Sequence, residues 1–546
     1  MKILIVGGVA GGATAATRLR RLSEKNQIIV FERGAHISFA NCGLPYHIGG
    51  IIEEREKLLL QTPKSLKDRF NLDIRVKTEV LSINKEKREV KVHDLETGKL
   101  YTESYDKLLL SPGAEPFRPP IEGINSENIL TLRNIVDMDR IISKVKTHKK
   151  IAVVGGGFIG LEVAENLIEQ GVQVTLVELA PQVMAPVDFE IASLLHQHVK
   201  EKGLDLKLNT AVQKFRDKGT SIELLLSDKT ILEAESVILA IGVKPENKLA
   251  KEALLEIGNT GGILVNEYLQ TSDENIYAVG DAVEVSHYIN KAKVLIPLAW
   301  PANRQGRIVA DNIMKKNQYR YKGSLGTSIL KIFDLNVSTT GLNERVLKKN
   351  KCAYQTALVT RGDHAGYYPG ATSLILKLIF GYDGTIYGAQ SIGKNGVDKR
   401  IDVIATAIKG GLKAQDLTDL EIAYAPPFNS AKDPVNIVGY VAQNMLNNDL
   451  QMLNYDQVAE YQDKENVVFL DVRTLAEHNV GAIKNSLHID LNTLRENLNQ
   501  LDQKKTYVVY CKVGLRGYLA YNILKQNGFK VLNLNGGYSI WKSTLQ

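Results

Sequence analysis

The chain has 546 residues, 44% of them hydrophobic and 24% charged, with a formal net charge of +7 at pH 7. That length exceeds one hydrophobic core and predicts three or four domains, while no apolar run approaches the ~20 residues of a membrane helix. Lysine and arginine are scattered rather than massed, which argues against a nucleic-acid surface, and three cysteines, Cys42, Cys352 and Cys511, make no disulfide framework and suit a reducing cytoplasm.

The first element is "KILIV", an apolar run that stops at glycines too early for a signal-peptide core and reads as a buried strand. It runs into "GGVAGGATAATRLRRL" and then "QIIVFER", which makes a strand, a glycine-rich turn, a helix and a second strand ending in Glu32. The same grammar returns at 151, in "IAVVGGGFIGLEVAENLIEQGVQVTLVEL". There Gly155, Gly157 and Gly160 fit G-x-G-x-x-G, and Glu178 ends the next strand about 20 residues on. In the first copy Gly7 and Gly12 fit, but Val9 stands where the middle glycine belongs. Glycines let backbone amides and a helix N-terminus approach a pyrophosphate, and the terminal acid accepts from a ribose hydroxyl. From 326 to 445 the pattern is mixed strands and helices without such a turn. "NMLNNDLQML" reads as a polar linker, and from 454 a small α/β unit follows, with "YVVYC" leading into a loop and a helix.

Two dinucleotide sites in this order resemble the flavin- and nicotinamide-dependent disulfide reductase superfamily. "YDKLLLSPGAEP" and "VILAIGVKPE" are similar to its crossings between nucleotide domains, and "TSDENIYAVGDA" to its second flavin motif, in which Asp281 would bind the ribityl chain. The resemblance implies an α/β chain: an FAD-binding domain from 1–115 and 240–325, a NAD(P)H-binding domain at 116–239, both Rossmann-like, and an α+β dimerisation domain at 326–445. FAD would use Gly7, Gly12, Glu32 and Asp281; the nicotinamide cofactor would use Gly155, Gly157, Gly160 and Glu178. Glu178 favours NADH, because a carboxylate there repels a 2′-phosphate.

"SFANCG" places Cys42 without a neighbouring cysteine, so no local disulfide forms. The segment resembles the single-cysteine branch of that superfamily: coenzyme A-disulfide reductases, NADH peroxidases and NADH oxidases. In that branch the cysteine bonds to a sulfur outside the chain or becomes a sulfenic acid. Peroxidases and oxidases carry a histidine after the first glycines; here Ala10 lies in that region. "GGVAGGATAATRLRRL" is similar instead to coenzyme A-disulfide and persulfide reductases. That resemblance implies coenzyme A contacts at Thr14, Arg18, Arg21, Ser38 and Asn41, and further contacts at Asn303, Arg304, Tyr368 and Lys432; Arg20 itself reads as a solvated residue of the helix face. It also implies catalytic tyrosines at Tyr367, ahead of its neighbour Tyr368, and at Tyr424, which a partner subunit of a homodimer would supply. Cys352 is expected to be a buried bystander, and no metal is expected.

"FLDVRTLAEHNVGAIKNSLHIDL" followed by "VVYCKVGLRG" resembles a rhodanese domain, expected at 454–546, with "GAI" at Gly481–Ile483 where many rhodaneses have "GHI". Cys511 opens a C-x-x-x-x-R loop closed by Arg516, in which amides and a helix dipole favour a thiolate. The resemblances together imply an NADH- and FAD-dependent reductase of coenzyme A disulfide, coenzyme A persulfide or polysulfide, fused to a sulfurtransferase and acting on small thiols, disulfides and persulfides. The alternatives are an NADH oxidase or peroxidase, or a redox-sensing flavoprotein.

Overall fold

The computed structural model describes residues 1–545, which form two compact units, Met1–Val183 with Gly203–Gly326, and Met184–Lys202 with the chain from Thr327 onward.

The first unit holds two parallel five-stranded sheets. In one the order is Ile276–Ala278, Lys107–Leu110, Lys2–Val6, Gln27–Phe31, Asp73–Arg75. Ile3, Leu4 and Ile5 are all fully buried, as an unbroken apolar run must be in a sheet covered on both faces. The other sheet runs Asp205–Lys207, Gln173–Val177, Lys150–Val154, Ser236–Leu239, Ile129–Leu130. Each is accompanied by a three-stranded antiparallel sheet, Thr78–Ser104 for the first and Val212–Ala234 for the second. The internal repeat is therefore larger than the glycine motifs show. The segments "AEP" and "VKP" pair antiparallel, with Glu115 opposite Lys244.

The helices Ala10–Leu22 and Ala299–Lys315 cross the first sheet in close contact. A Cβ at Gly306 would lie 2.4 Å from the Gly11 carbonyl oxygen. Arg20 corrects the expectation of a solvated residue: it is 4% exposed and donates to the carbonyls of Ser23, Glu24, Asn26, Phe70 and Asn71. Its guanidinium ties the end of the helix to a turn some 50 residues away.

The second unit contains an antiparallel sheet, ordered Ser328–Ile332, Leu335–Gly341, Ile386–Gly393, Ser373–Phe380, Gln355–Gly362, with helices Val397–Gly410 and Pro434–Leu446. A parallel sheet follows, ordered Met452–Leu453, Lys530–Leu534, Thr506–Tyr510, Val467–Asp471, Leu487–His488. The helix Phe189–Glu201 also belongs to this unit. Fully buried Lys377 bonds Asp188 at 2.8 Å, Glu344 at 2.5 Å and also Glu190, joining that helix to the antiparallel sheet.

The Asn-rich stretch near 444–453 is pinned rather than loose. Lys525 donates to the carbonyls of Asn448 and Asp449, and Asn444 donates to the Tyr518 hydroxyl at 3.2 Å. Asn535 closes the exposed edge of strand Gln355–Gly362, donating to Thr356 O at 2.9 Å and accepting from Leu358 N at 3.0 Å. Cys352, expected to be buried, is exposed, because it falls in the exposed connection between the helix Glu344–Lys349 and that strand, with Lys351 and Ala353 exposed on either side.

Candidate active site

The two glycine turns are built alike. Gly7 has φ +95° and Gly155 φ +109°, a left-handed backbone that only glycine takes without strain. A Cβ at Gly12 would lie 1.9 Å from Gly7 O, and one at Gly160 would lie 1.9 Å from Gly155 O. Each helix therefore starts directly on its turn. Glu32 accepts from Gly8 N at 3.0 Å and Gly34 N at 2.8 Å; Glu178 accepts from Gly156 N at 2.6 Å and Ala180 N at 2.8 Å. A Cβ at Gly157 would meet nothing within 4 Å. The fold itself does not require glycine there, which accounts for Val9 at the matching place.

Asp281 sits on the short turn Gly280–Ala282, whose first amide donates to Gln305 at 2.7 Å. Burial pushes its carboxyl up to about 6, with Arg133 opposing. Cys42 lies on the turn Asn41–Gly43 just before the helix Leu44–Ile48. It is accessible to solvent yet surrounded at longer range by protein, and that desolvation raises its thiol, with Glu162 and Asp281 adding to the effect. Glu162 is itself pushed up to about 7 by burial and by Glu165. Burial and the carboxylates of Glu162 and Asp281 thus disfavour a thiolate at Cys42.

Thr14 donates to Asn303 Oδ1 at 2.6 Å, so the helix pair brings two of the expected coenzyme contacts together. Ser38, at φ +51°, donates its amide to Gly8 O at 2.9 Å, and Asn41 Nδ2 donates to Arg133 O at 3.4 Å. Arg18 is committed to Asp311 at 2.7 Å, whereas Arg21 and Arg304 are exposed.

In the second unit Tyr367 and Tyr424 meet hydroxyl to hydroxyl at 2.7 Å, and that bond raises the Tyr367 phenol. Tyr368 turns away, its ring edge-on to His364. Lys432 is exposed on the Tyr424 loop. Sequence reasoning missed Arg400, buried beneath these loops; nothing local distinguishes it from a surface arginine.

Cys511 is buried, and its sulfur accepts from Gly514 N at 3.1 Å. Gly514 has φ +112°, which turns its amide inward. Arg516 is gripped by both oxygens of Glu477 at 2.7 Å, and that pairing holds the Glu477 carboxyl down to about 2. Asp471 takes a two-point bond from Arg473, whose guanidinium also holds Gly481 O at 2.7 Å and lies 4.1 Å over the Tyr538 ring. That explains how "GAI" keeps its turn without the histidine. A cavity of about 680 Å³ beside the loop is lined by Glu477, Lys512, Tyr538 and Lys542 among others.

Two dinucleotide folds in series with a solitary cysteine, followed by a cysteine loop on a parallel sheet, define a flavoprotein reductase joined to a rhodanese. The chain belongs to the pyridine nucleotide-disulphide oxidoreductase family, whose model matches residues 1–306; the family's dimerisation domain matches 327–434 and a rhodanese-like domain matches 454–544. It is 36% identical over 446 residues to the coenzyme A disulfide reductase of Staphylococcus aureus (strain JH9), covering 81% of this chain and 100% of that protein. Its fold matches reduced Bacillus anthracis CoADR-RHD with TM-score 0.98 and 48% identity, over 100% of this chain and 98% of that one. It matches a NAD-dependent persulfide reductase from A. fulgidus with TM-score 0.94 and 36% identity, over 99% and 100%. Among the described residues no helix is long and apolar enough to cross a membrane.

Proposed function

We propose that the chain is an NADH- and FAD-dependent reductase of coenzyme A disulfide, coenzyme A persulfide or polysulfide, working as a cytoplasmic homodimer, and that its rhodanese supplies sulfane sulfur to the reductase. The observation that carries this is Cys42, the sole cysteine of the unit that holds both dinucleotide folds. With no resolving thiol in that unit, the sulfur it bonds comes from outside the unit, from a small molecule or from the sulfane sulfur the rhodanese supplies.

The residues present fit the cofactors: the bare helix starts at Gly12 and Gly160 leave no Cβ between turn and helix, and each terminal acid is already fixed by amides. FAD would be held by Gly7, Gly12, Glu32 and Asp281, and NADH by Gly155, Gly157, Gly160 and Glu178. When bound, FAD relays two electrons from NADH to sulfur.

Cys42 Sγ attacks one sulfur of a coenzyme A disulfide. The S–S bond breaks, one coenzyme A thiolate leaves, and Cys42 holds the other half as a mixed disulfide. Two electrons and a proton then release the second thiol and restore the Cys42 thiolate. With a persulfide, attack on the outer sulfur expels the thiolate and leaves a persulfide on Cys42; two electrons and a proton then cleave its S–S bond, release hydrogen sulfide and restore the Cys42 thiolate. The Tyr367–Tyr424 pair, supplied by the partner subunit, protonates the departing thiolate. Thr14, Asn303, Ser38 and Asn41 would orient the coenzyme, with Tyr368 and Lys432 as further contacts. Because the charge of Arg18 is spent on Asp311, Arg21 and Arg304 carry the phosphates. At Cys511, Gly514 N stabilises the thiolate and the persulfide it forms.

The test is to denature the purified protein, identify the released small molecules by mass spectrometry, and measure sulfide during anaerobic NADH oxidation with coenzyme A persulfide. FAD and coenzyme A should be released and sulfide formed. A protein with no flavin absorbance even after added FAD, or one that oxidises NADH only with oxygen, would refute the reading.

A further inference from the structure

Tyr367 and Tyr424 are 75% and 48% exposed. In the single chain the two rings stand on separate loops and two exposed hydroxyls gain little from each other, so their 2.7 Å contact needs a frame. The frame lies beneath them, at Arg400 on the helix Val397–Gly410, which is 1% exposed. Its Nη2 donates to Asp363 O at 2.8 Å, at the root of the Tyr367 loop, and to Asn429 Oδ1 at 2.9 Å, on the Tyr424 loop. The same nitrogen lies 3.0 Å from Asp433 Oδ2, where the Tyr424 loop ends.

Each root is itself fixed. Asp363 Oδ1 accepts from His364 N at 2.9 Å and Thr372 N at 2.8 Å, which closes the Tyr367 loop on itself. Asn429 Nδ2 donates to Ala423 O at 3.3 Å, one residue before Tyr424. Asp433 caps the helix that begins at Pro434, accepting from Val435 N at 2.8 Å. One buried guanidinium is therefore the shared partner of both loops. Its Nη1 donates to Gly396 O at 3.1 Å, which fixes the guanidinium plane and aims Nη2 at the acceptors of both loops, and the group does not lose its charge; a lysine ammonium has no second nitrogen to be held in this way.

We propose that Arg400 is a positioning residue that sets the separation of the Tyr367 and Tyr424 hydroxyls, and with it the pair's competence as a proton donor. The catalytic part of this rests on the reading given under Proposed function; the positioning part does not.

The experiment uses the full-length holoenzyme carrying Arg400→Lys or Asn429→Ala, with Tyr367→Phe as reference. The second variant keeps the Arg400–Asp433 pair, and decides the matter alone if the first loses its flavin. Tyrosine ring carbons are labelled, the two resonances are assigned with Tyr367→Phe and Tyr424→Phe, and their pH titrations are followed by NMR. Turnover with coenzyme A persulfide, KM for NADH and thiosulfate sulfurtransferase activity are measured beside them. The expected result is a Tyr367 titration that moves toward an ordinary phenol and kcat at least tenfold lower. KM for NADH and sulfurtransferase activity should stay within twofold. A Tyr367 titration identical to that of the unsubstituted enzyme overturns the proposal. Full turnover in Tyr367→Phe removes the catalytic reading of the tyrosines instead, and the NMR titration still decides the role of Arg400.

Discussion

Glu178 is held by two backbone amides before any nucleotide arrives, so its charge cannot swing away from a 2′-phosphate. Replacing it with Ala should lower the ratio of kcat/KM for NADH over NADPH by about tenfold, since one unit charge at such a partly desolvated site contributes upwards of ~1 kcal/mol. Equal ratios in the two proteins would show that selection lies elsewhere. Asp281 gives a pH signature. Burial raises its carboxyl from 3.8 to about 6. Below the lower value both the folded and the unfolded chain carry the proton. Between the two only the folded chain keeps it, so stability falls as pH rises. Above the upper value the loss is complete, roughly 3 kcal/mol for a shift of about two units. In flavin-stripped protein, Asp281→Asn should abolish this decline in thermal midpoint between pH 4 and 7. A decline of the same size in the variant would assign it to another group.

At the scale of the element, the two helix starts separate what the fold needs from what the ligand needs. A Cβ at Gly160 collides with Gly155 O at 1.9 Å, whereas a Cβ at Gly157 finds open space. Gly160→Ala should therefore lower the melting temperature and abolish NADH-driven flavin reduction together. Gly157→Ala should melt as the parent does while KM for NADH rises about tenfold or more, because only a pyrophosphate would meet the new methyl. Identical melting in the two would refute the assignment. These strand–turn–helix units were legible because their determinants are local: apolar runs, glycines at a fixed spacing, an acid closing the second strand. The Cys511 loop was legible for the same reason. Arg20, Arg400 and Glu477 were not, since each is defined by partners far along the chain: 50 residues for Arg20 and Phe70, 37 and 29 for Arg400 with Asp363 and Asn429, and 39 for Glu477 and Arg516. The Asn-rich stretch near 450 misled in the opposite direction. Polar residues read as a free linker, and here their backbone is anchored by Lys525 and Tyr521.

Across the whole molecule the proposed function assigns Cys42 and Cys511 separate duties. Cys42 belongs to the unit with the dinucleotide folds and Cys511 to the other. Cys42→Ser should end NADH-driven reduction of every sulfur substrate while the flavin is still bound and still reduced by NADH. Cys511→Ser should keep reduction of coenzyme A persulfide and slow turnover only with donors the reductase does not bind, such as thiosulfate. Loss of persulfide reduction in both variants, measured anaerobically, would make the rhodanese part of the reductive centre. The Phe189–Glu201 helix carries a consequence for the chain as it is made. Asp188 lies 189 residues ahead of its counter-ion Lys377, and Ser193 lies 350 residues ahead of the Ser543 hydroxyl it meets at 2.9 Å. A ribosome adding ~5–20 residues per second reaches Lys377 about 10–40 s after Asp188, and Ser543 about 20–70 s after Ser193. For that interval the helix's apolar side has none of its final neighbours from Lys377 onward, so nascent chains arrested between 202 and 376 are the ones on which a chaperone should find it.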